Sequence, residues 1–293
     1  MSYEPRKQTR EHPPIPAVRV LFDLTQTAAS DPADTQSGIH SGELMLDKKV
    51  CIVTGAGSGI GRAAARALAL AGGKIVVCDV DHQAGDATVG QIQRARGEAI
   101  FIAADVSRPD QCEALVSRTV ERFGRLDVAV NNAEIGGEAK SIADTSLQAW
   151  DRVIGVNLSG VFYCMKYQLP HLVKQRGTIV NVASVLGQVG WANAGAYAAA
   201  KHGVVGLTRT AALEYGSLGV RVNAVGPGFV KMPMVAGLEQ DAASPPRMTV
   251  LNPLGRIGQV DEVAEVILWL STPAASFVTG AYYPVDGGFL AAS

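Results

Sequence analysis

Cysteine is scarce in this chain: Cys51, Cys78, Cys112 and Cys164 are the four in 293 residues. None forms a CxxC pair, and Cys51 and Cys78 fall inside apolar, strand-like runs. That scarcity excludes a CxxC redox or zinc motif and leaves buried, reduced thiols of a cytoplasmic protein as the expectation. The histidines are as few (His12, His40, His82, His171 and His202) and show no ligand spacing, so no metal site is expected. Excess charge of either sign is missing too. Lys+Arg number 26 against 27 Asp+Glu, for a net charge of -1 and a pI near 6.5. Such a balance offers no field for nucleic acid or an anionic membrane surface. No apolar run reaches the ~18 residues needed to cross a bilayer. What the chain does have is 47% hydrophobic residues, enough to bury a substantial core.

Residues 1–44 differ from the rest. Pro5, Pro13, Pro14, Pro16 and Pro32 stand among Ser, Thr, Gln and Asp, which reads as a flexible leader. Its apolar stretch, Val18 to Leu24, is interrupted by Arg19 and Asp23, too short and too charged for a secretory signal. Arg6, Lys7, Arg10 and Arg19 suit an organelle transit peptide, whereas Glu4, Glu11 and Asp23 oppose one. Met45 stands where the ordered pattern begins and would serve as an alternative start.

From Lys48 onward, strand and helix alternate. Apolar runs occur at Val50–Thr54, Ile75–Val80, Ile100–Val106, Leu126–Asn131, Thr178–Ala183, Val220–Val225 and Tyr282–Val285. Helical stretches separate them: Gly61–Ala71, Gln83–Arg96, Pro109–Phe123, Leu147–Gln175, Ala196–Tyr215 and Asp261–Leu270. Continuous apolar strands between helices predict a parallel sheet covered on both faces. The expected fold is therefore α/β, a single doubly wound Rossmann domain over residues 45–293. Ligands in such sheets bind beyond the carboxyl ends of the strands, so the residues following each strand carry the interest.

The first strand runs into Thr54-Gly55-Ala56-Gly57-Ser58-Gly59-Ile60-Gly61 and then a helix. Glycines permit a tight turn and let backbone amides approach a pyrophosphate at a helix N-terminus. The spacing is G-x-x-x-G-x-G rather than GxGxxG, and its weight comes from the strand–turn–helix context. The second strand ends at Asp79, placed to accept from both hydroxyls of an adenosine ribose. A 2′-phosphate there would meet like charge, so NAD is expected over NADP. Asp105, followed by Val106 after the third strand, is a candidate acceptor for the adenine amino group.

Ser184 ends the fifth strand. Tyr197 follows thirteen residues later and Lys201 four after that, in an Ala-rich helical run. At i and i+4 the two share one helix face. Oxidising an alcohol requires a base for the hydroxyl proton. Tyrosine starts near pKa ~10, and an adjacent ammonium favours its phenolate. Taken singly, Tyr197 also reads as a half-buried helix aromatic and Lys201 as a solvated charge.

Together these residues resemble the compact short-chain dehydrogenases/reductases. The resemblance covers about residues 46–290 and rests on Thr54–Gly61, Asn131-Asn132-Ala133, Asn157, Ser184, Tyr197-x-x-x-Lys201, Pro227-Gly228 and Asp286-Gly287-Gly288. It implies an NAD-dependent oxidoreductase acting on CH–OH groups of a small alcohol or ketone. Tyr197 would be the acid/base. Lys201 would lower its pKa and bind the nicotinamide ribose. Ser184 would bond the reacting oxygen, and Asn157 would hold a water linking Lys201 to solvent. Gly55, Ser58, Gly59, Ile60, Gly61, Asp79, Asp105, Val106, Asn132, Pro227 and Gly228 would contact or shape the cofactor site, with Asn132 bracing the sheet. A homo-oligomer, a tetramer, is implied as well.

Two departures from the family pattern stand out. Glu134 replaces the usual glycine after Asn-Asn-Ala; a carboxylate there would either repel an anionic substrate at the rim or point to water, and water is the expectation. Lys231-Met232-Pro233-Met234 occupies the stretch where a threonine usually bonds the carboxamide. The long connection Phe229–Asn252 reads as an active-site lid, and its Met232, Met234, Val235, Leu238, Met248 and Leu251 suit an apolar or cyclic substrate, with Trp191 as a further wall. Two other functions fit less well. A non-catalytic NAD sensor or scaffold would not need Ser184, Tyr197 and Lys201. An NADPH-dependent 3-oxoacyl reductase is disfavoured by Asp79.

Overall fold

The computed structural model describes residues 45–231 and 251–292. The leader, residues 1–44, and Met232 to Met248 of the expected lid lie outside the described residues. Seven parallel strands form one sheet in the order β3-β2-β1-β4-β5-β6-β7. They are β1 (Val50–Thr54), β2 (Lys74–Asp79), β3 (Ala99–Ala103), β4 (Val128–Asn131), β5 (Thr178–Val182), β6 (Arg221–Pro227) and β7 (Tyr282–Val285). The order reverses between β1 and β4, which is where a doubly wound sheet opens its ligand crevice. The doubly wound fold expected from the alternation is the one observed.

Seven α-helices are described: α1 (Gly59–Leu70), α2 (His82–Arg94), α3 (Pro109–Phe123), α4 (Leu147–Ile154), α5 (Gly160–Gln175), α6 (Gly195–Tyr215) and α7 (Val260–Ser271). Their ends have local causes. Asp81 accepts from Ala84 N at 3.0 Å and starts α2. Pro109 opens α3, and Gly124 closes it at φ +76. Gln259 and Glu262 form a reciprocal capping box at the start of α7. None of these helices is long and apolar enough to cross a membrane.

Each face of the sheet has its own core. Ile60, Ala64 and Leu68 of α1 recur at helical spacing and pack with Ile92 of α2 and with Val263, Ile267 and Leu270 of α7. On the other face Leu115 and Val116 of α3 meet Met165 and Leu172 of α5 and Val204 and Ala211 of α6. Five of the seven strands are wholly or mostly buried, as a doubly covered parallel sheet requires.

One element differs from expectation. The single helix expected over Leu147–Gln175 is broken by a π-turn at Gly155–Ser159. At its centre Asn157, 1% exposed, turns its amide toward the loop after β4. It accepts from Ile135 N and donates to Ile135 O, both at 2.9 Å. The wider turn presents that side chain at the cost of regular i→i−4 bonding, and such bulges recur at functional sites.

Candidate active site

The glycine turn is tight at Gly55 and Gly61. Gly55 sits at φ +62, and a Cβ there would come within 2.8 Å of the Ala133 Cα. A Cβ on Gly61 would run into the Gly55 carbonyl and the Asn132 side chain, so α1 can enter this close only with glycine. The turn opens onto a cavity of about 550 Å³ lined by Gly55, Ser58, Gly59, Ile60, Asn132 and Glu134. The amides at the α1 N-terminus face an anion there favourably. Arg62 is held beside the turn, donating to the Gly57 carbonyl and, at 3.0 Å, to Thr88 Oγ1.

Asp79 stands at the strand end expected of it, on the wall of the same cavity. Its Oδ2 accepts from Gly57 N at 2.8 Å and its Oδ1 from Asp81 N at 3.0 Å, which fixes the carboxylate against the turn. Asp105 and Val106 also line the cavity. Asp105 Oδ1 accepts from the amide and the hydroxyl of Ser107, at 2.9 and 2.7 Å. Asn132 donates to the carbonyls of Thr54 and Gly55, at 3.0 and 3.2 Å, tying the end of β4 to the end of β1.

Through Glu134, which lines the cavity, the acid/base candidates meet it. Lys201 is 1% exposed, and its ammonium donates to the Val182 carbonyl at 3.0 Å. The same nitrogen lies 2.6 Å from Glu134 Oε2. Tyr197 donates its phenolic hydrogen to that same oxygen at 3.0 Å. Glu134 therefore turns inward, not to water as expected. An ammonium withdrawn from solvent attracts the nearest carboxylate strongly, and Glu134 is the group the loop offers it. The expected lowering of the Tyr197 pKa is also not found. Burial pushes the phenol well above its ordinary range, the Glu134 carboxylate adds to the rise, and Ser184 opposes it.

Ser184 lies two residues beyond the end of β5, is 8% exposed, and accepts from Leu186 N at 3.2 Å. Its carbonyl receives the Tyr282 hydroxyl at 2.9 Å. Pro227-Gly228 closes β6, with Gly228 N bonded to the Val285 carbonyl at 3.0 Å. Trp191 joins Phe229 and Phe289 in an aromatic cluster, with ring centroids 5.8–6.3 Å apart. All three rings come from segments that follow the carboxyl ends of β5, β6 and β7.

Sequence reasoning passed over a buried polar chain behind the site. Asn131 donates to Gln168 Oε1 at 3.2 Å and Asn181 Oδ1 at 2.9 Å, and Asn181 donates to Thr208 Oγ1 at 3.0 Å. The signal available was an asparagine inside the apolar run of β5. These bonds join β4, β5, α5 and α6 through side chains withdrawn from water.

A glycine cradle at a helix N-terminus, a strand-end aspartate and a half-buried tyrosine beside a buried lysine fit a nicotinamide dinucleotide laid along the cavity. These features define a dinucleotide-dependent oxidoreductase. A family model described as Enoyl-(Acyl carrier protein) reductase matches residues 55–290. Cyclohexanol dehydrogenase of Acinetobacter sp. (strain SE19) is 44% identical over 245 residues, covering 83% of this chain and 96% of that protein. The 2,5-dichloro-2,5-cyclohexadiene-1,4-diol dehydrogenase of Sphingobium indicum (strain DSM 16412 / CCM 7286 / MTCC 6364 / B90A) is 42% identical over 249 residues, 84% of this chain and 98% of that one. The crystal structure of levodione reductase superposes with a TM-score of 0.82 at 40% identity, covering 85% of this chain and all of the other. The chain belongs to the short-chain dehydrogenase/reductase family, oxidoreductases that use a nicotinamide cofactor on CH–OH groups.

Proposed function

We propose that this protein is an NAD-dependent dehydrogenase that interconverts a ring CH–OH and the corresponding ketone. One observation carries the reading. Tyr197 Oη and Lys201 Nζ converge on a single oxygen atom of Glu134, a residue that lines the same cavity as Asp79. A reacting substrate oxygen needs that convergence, and a protein that only bound NAD would not. The cyclic substrate class is supported by the cyclohexanol and cyclohexadiene-diol relatives and by the aromatic cluster of Trp191, Phe229 and Phe289.

The nicotinamide, when bound, supplies or takes up the hydride. The chain's own groups manage the proton. Tyr197 accepts it from the alcohol during oxidation and returns it to the carbonyl oxygen during reduction. Lys201 holds positive charge beside the phenolate and reaches the nicotinamide ribose, and Ser184 donates to the reacting oxygen. Asn157 fixes the Ile135 backbone beside the site and is assigned the solvent-linked water near Lys201. Ser58, Gly59, Ile60 and Gly61 would receive the pyrophosphate, while Asp79 would hold the adenosine ribose and so favour NAD. Asp105 and Val106 flank the adenine. An NADPH-dependent 3-oxoacyl reductase would place a phosphate against Asp79, which counts against that second reading.

The same proposal includes a cytoplasmic homotetramer. Its support is four buried, unpaired cysteines and an apolar groove between α5 and α6, where Phe162 stays 48% exposed beside Leu158, Tyr163 and Leu207.

The test is direct. The full chain is assayed with cyclohexanol and other ring alcohols, with NAD or NADP, by the absorbance of the reduced coenzyme. Turnover is expected with NAD, and Tyr197→Phe should lower kcat by at least about 1000-fold while NAD affinity stays within about threefold. Turnover in the phenylalanine variant within tenfold of wild type would remove Tyr197 from the acid/base role.

A further inference from the structure

Glu134 has little freedom to leave the site. The residue before it is pinned by Ala133 N donating to Thr54 Oγ1 at 3.1 Å. The residue after it is pinned on both sides, Ile135 N and O bonding the Asn157 amide at 2.9 Å each. Only the side-chain torsions of Glu134 remain to move its carboxylate. Its side chain is 13% exposed, and that of Lys201, paired with it at 2.6 Å, is 2% exposed.

Tyr197 has one phenolic hydrogen, and Glu134 Oε2 holds it. A reacting carbonyl must take that hydrogen over, and a reacting hydroxyl must occupy the same place. Either way a substrate oxygen displaces Oε2 from Tyr197, but the pinned backbone keeps the carboxylate beside the incoming ligand. There it is a poorly solvated, acceptor-only group that has lost a donor. A hydroxyl on the carbon next to the reacting one lies within hydrogen-bond reach of a group in that position and restores the lost bond. A carboxylate on that carbon cannot donate and meets like charge in a site shielded from water.

We propose that Glu134 makes this site a reader of a second hydroxyl: the favoured substrate is a neutral cyclic 1,2-diol or its α-hydroxyketone, and a carboxylate beside the reacting carbon is rejected. The assignment rests on the alcohol-dehydrogenase reading above, with Tyr197 at the reacting oxygen. Glu134 acts here as a specificity-determining residue; it exchanges no proton with the substrate.

The experiment compares cyclohexanol, cis-1,2-cyclohexanediol and 2-hydroxycyclohexanecarboxylate at saturating NAD, using full-length wild type, Glu134→Ala and Glu134→Gln. Wild type should turn over the diol with a kcat/KM about tenfold or more above cyclohexanol, the gain lying in KM, and should use the hydroxycarboxylate worst. Glu134→Ala should bring the diol-to-cyclohexanol ratio to within about twofold of one. Glu134→Gln should raise the hydroxycarboxylate at least about tenfold relative to cyclohexanol. Each ratio is taken within one protein preparation, so a loss of folded enzyme cancels. A wild-type diol-to-cyclohexanol ratio within twofold of one, or an unchanged ratio in Glu134→Ala, would overturn the assignment while leaving the dehydrogenase reading intact. A wild type that oxidises no ring alcohol would overturn the dehydrogenase reading, and this inference with it.

Discussion

The single hydrogen of the Tyr197 phenol rests on the Glu134 carboxylate, and this governs how the enzyme should respond to pH. Burial and Glu134 both hold the phenol well above its ordinary range. Oxidation needs the phenolate as base, and reduction needs the phenol as acid. The kcat/KM for oxidation should therefore climb with pH into the alkaline range, while that for reduction stays level and falls only at high pH. Removing the negative charge in Glu134→Ala should move the rising limb for oxidation to lower pH. Superimposable pH–rate profiles for the two proteins would show that Glu134 does not act on the phenol. On the wall of the same cavity, Asp79 is expected to set cofactor choice. Like charge at about 4 Å, screened in a partly wet site and relaxed by loop movement, leaves ~2–3 kcal/mol against a 2′-phosphate. Wild type should then prefer NAD over NADP by one to two orders of magnitude in kcat/KM, at about 1.4 kcal/mol per tenfold. Asp79→Asn keeps the shape and removes the charge. The ratio of the two efficiencies should shrink or invert in it, and an unchanged ratio would mean that Asp79 does not face the ribose.

The informative element is the π-turn between α4 and α5. A regular helix through Gly155–Ser159 would carry Asn157 along a different direction, and the Ile135 backbone would lose both partners. Asn157→Ala deletes those two hydrogen bonds from a partly buried loop. A loss of about 1–3 kcal/mol of stability is expected, read as a lower urea midpoint at unchanged m-value. Freed from its clasp, the Glu134 loop should also discriminate less among substrates. A variant as stable as wild type would show that the π-turn holds its shape for other reasons, such as the close packing of Gly160 on Val106.

For the molecule as a whole, the groove between α5 and α6 predicts assembly. Phe162 lies nearly half exposed on a face of small and apolar residues, Gly203, Gly206 and Leu207 among them. A second copy of the chain would cover such a patch across a two-fold axis. Light scattering at micromolar concentration should give the mass of a tetramer, and Phe162→Glu should shift it to a smaller species without unfolding. A monomeric wild type would sink the idea.

Much of this was written locally. β1, α3 and β7 fall on the very residues that their apolar runs, Pro109 and flanking turn residues mark out, because short-range sterics and capping act within a few residues of the chain. The glycine turn, Asp79 at a strand end and the i, i+4 spacing of Tyr197 and Lys201 are of the same kind: each is a local geometry that spacing dictates. The break in the helix expected over Leu147–Gln175 is not, because its cause is a loop after β4 that the helix meets only in the folded state. Nor was the direction of Glu134 legible. Its partners stand 63 and 67 residues further along (197 − 134 and 201 − 134) and reach it only because β4 pairs with β5, whose following segment delivers α6 over the same sheet edge. The sequence determined which groups the site contains. Tertiary packing decided which of them share an oxygen, since an ammonium taken out of water settles on whatever carboxylate the fold brings within reach.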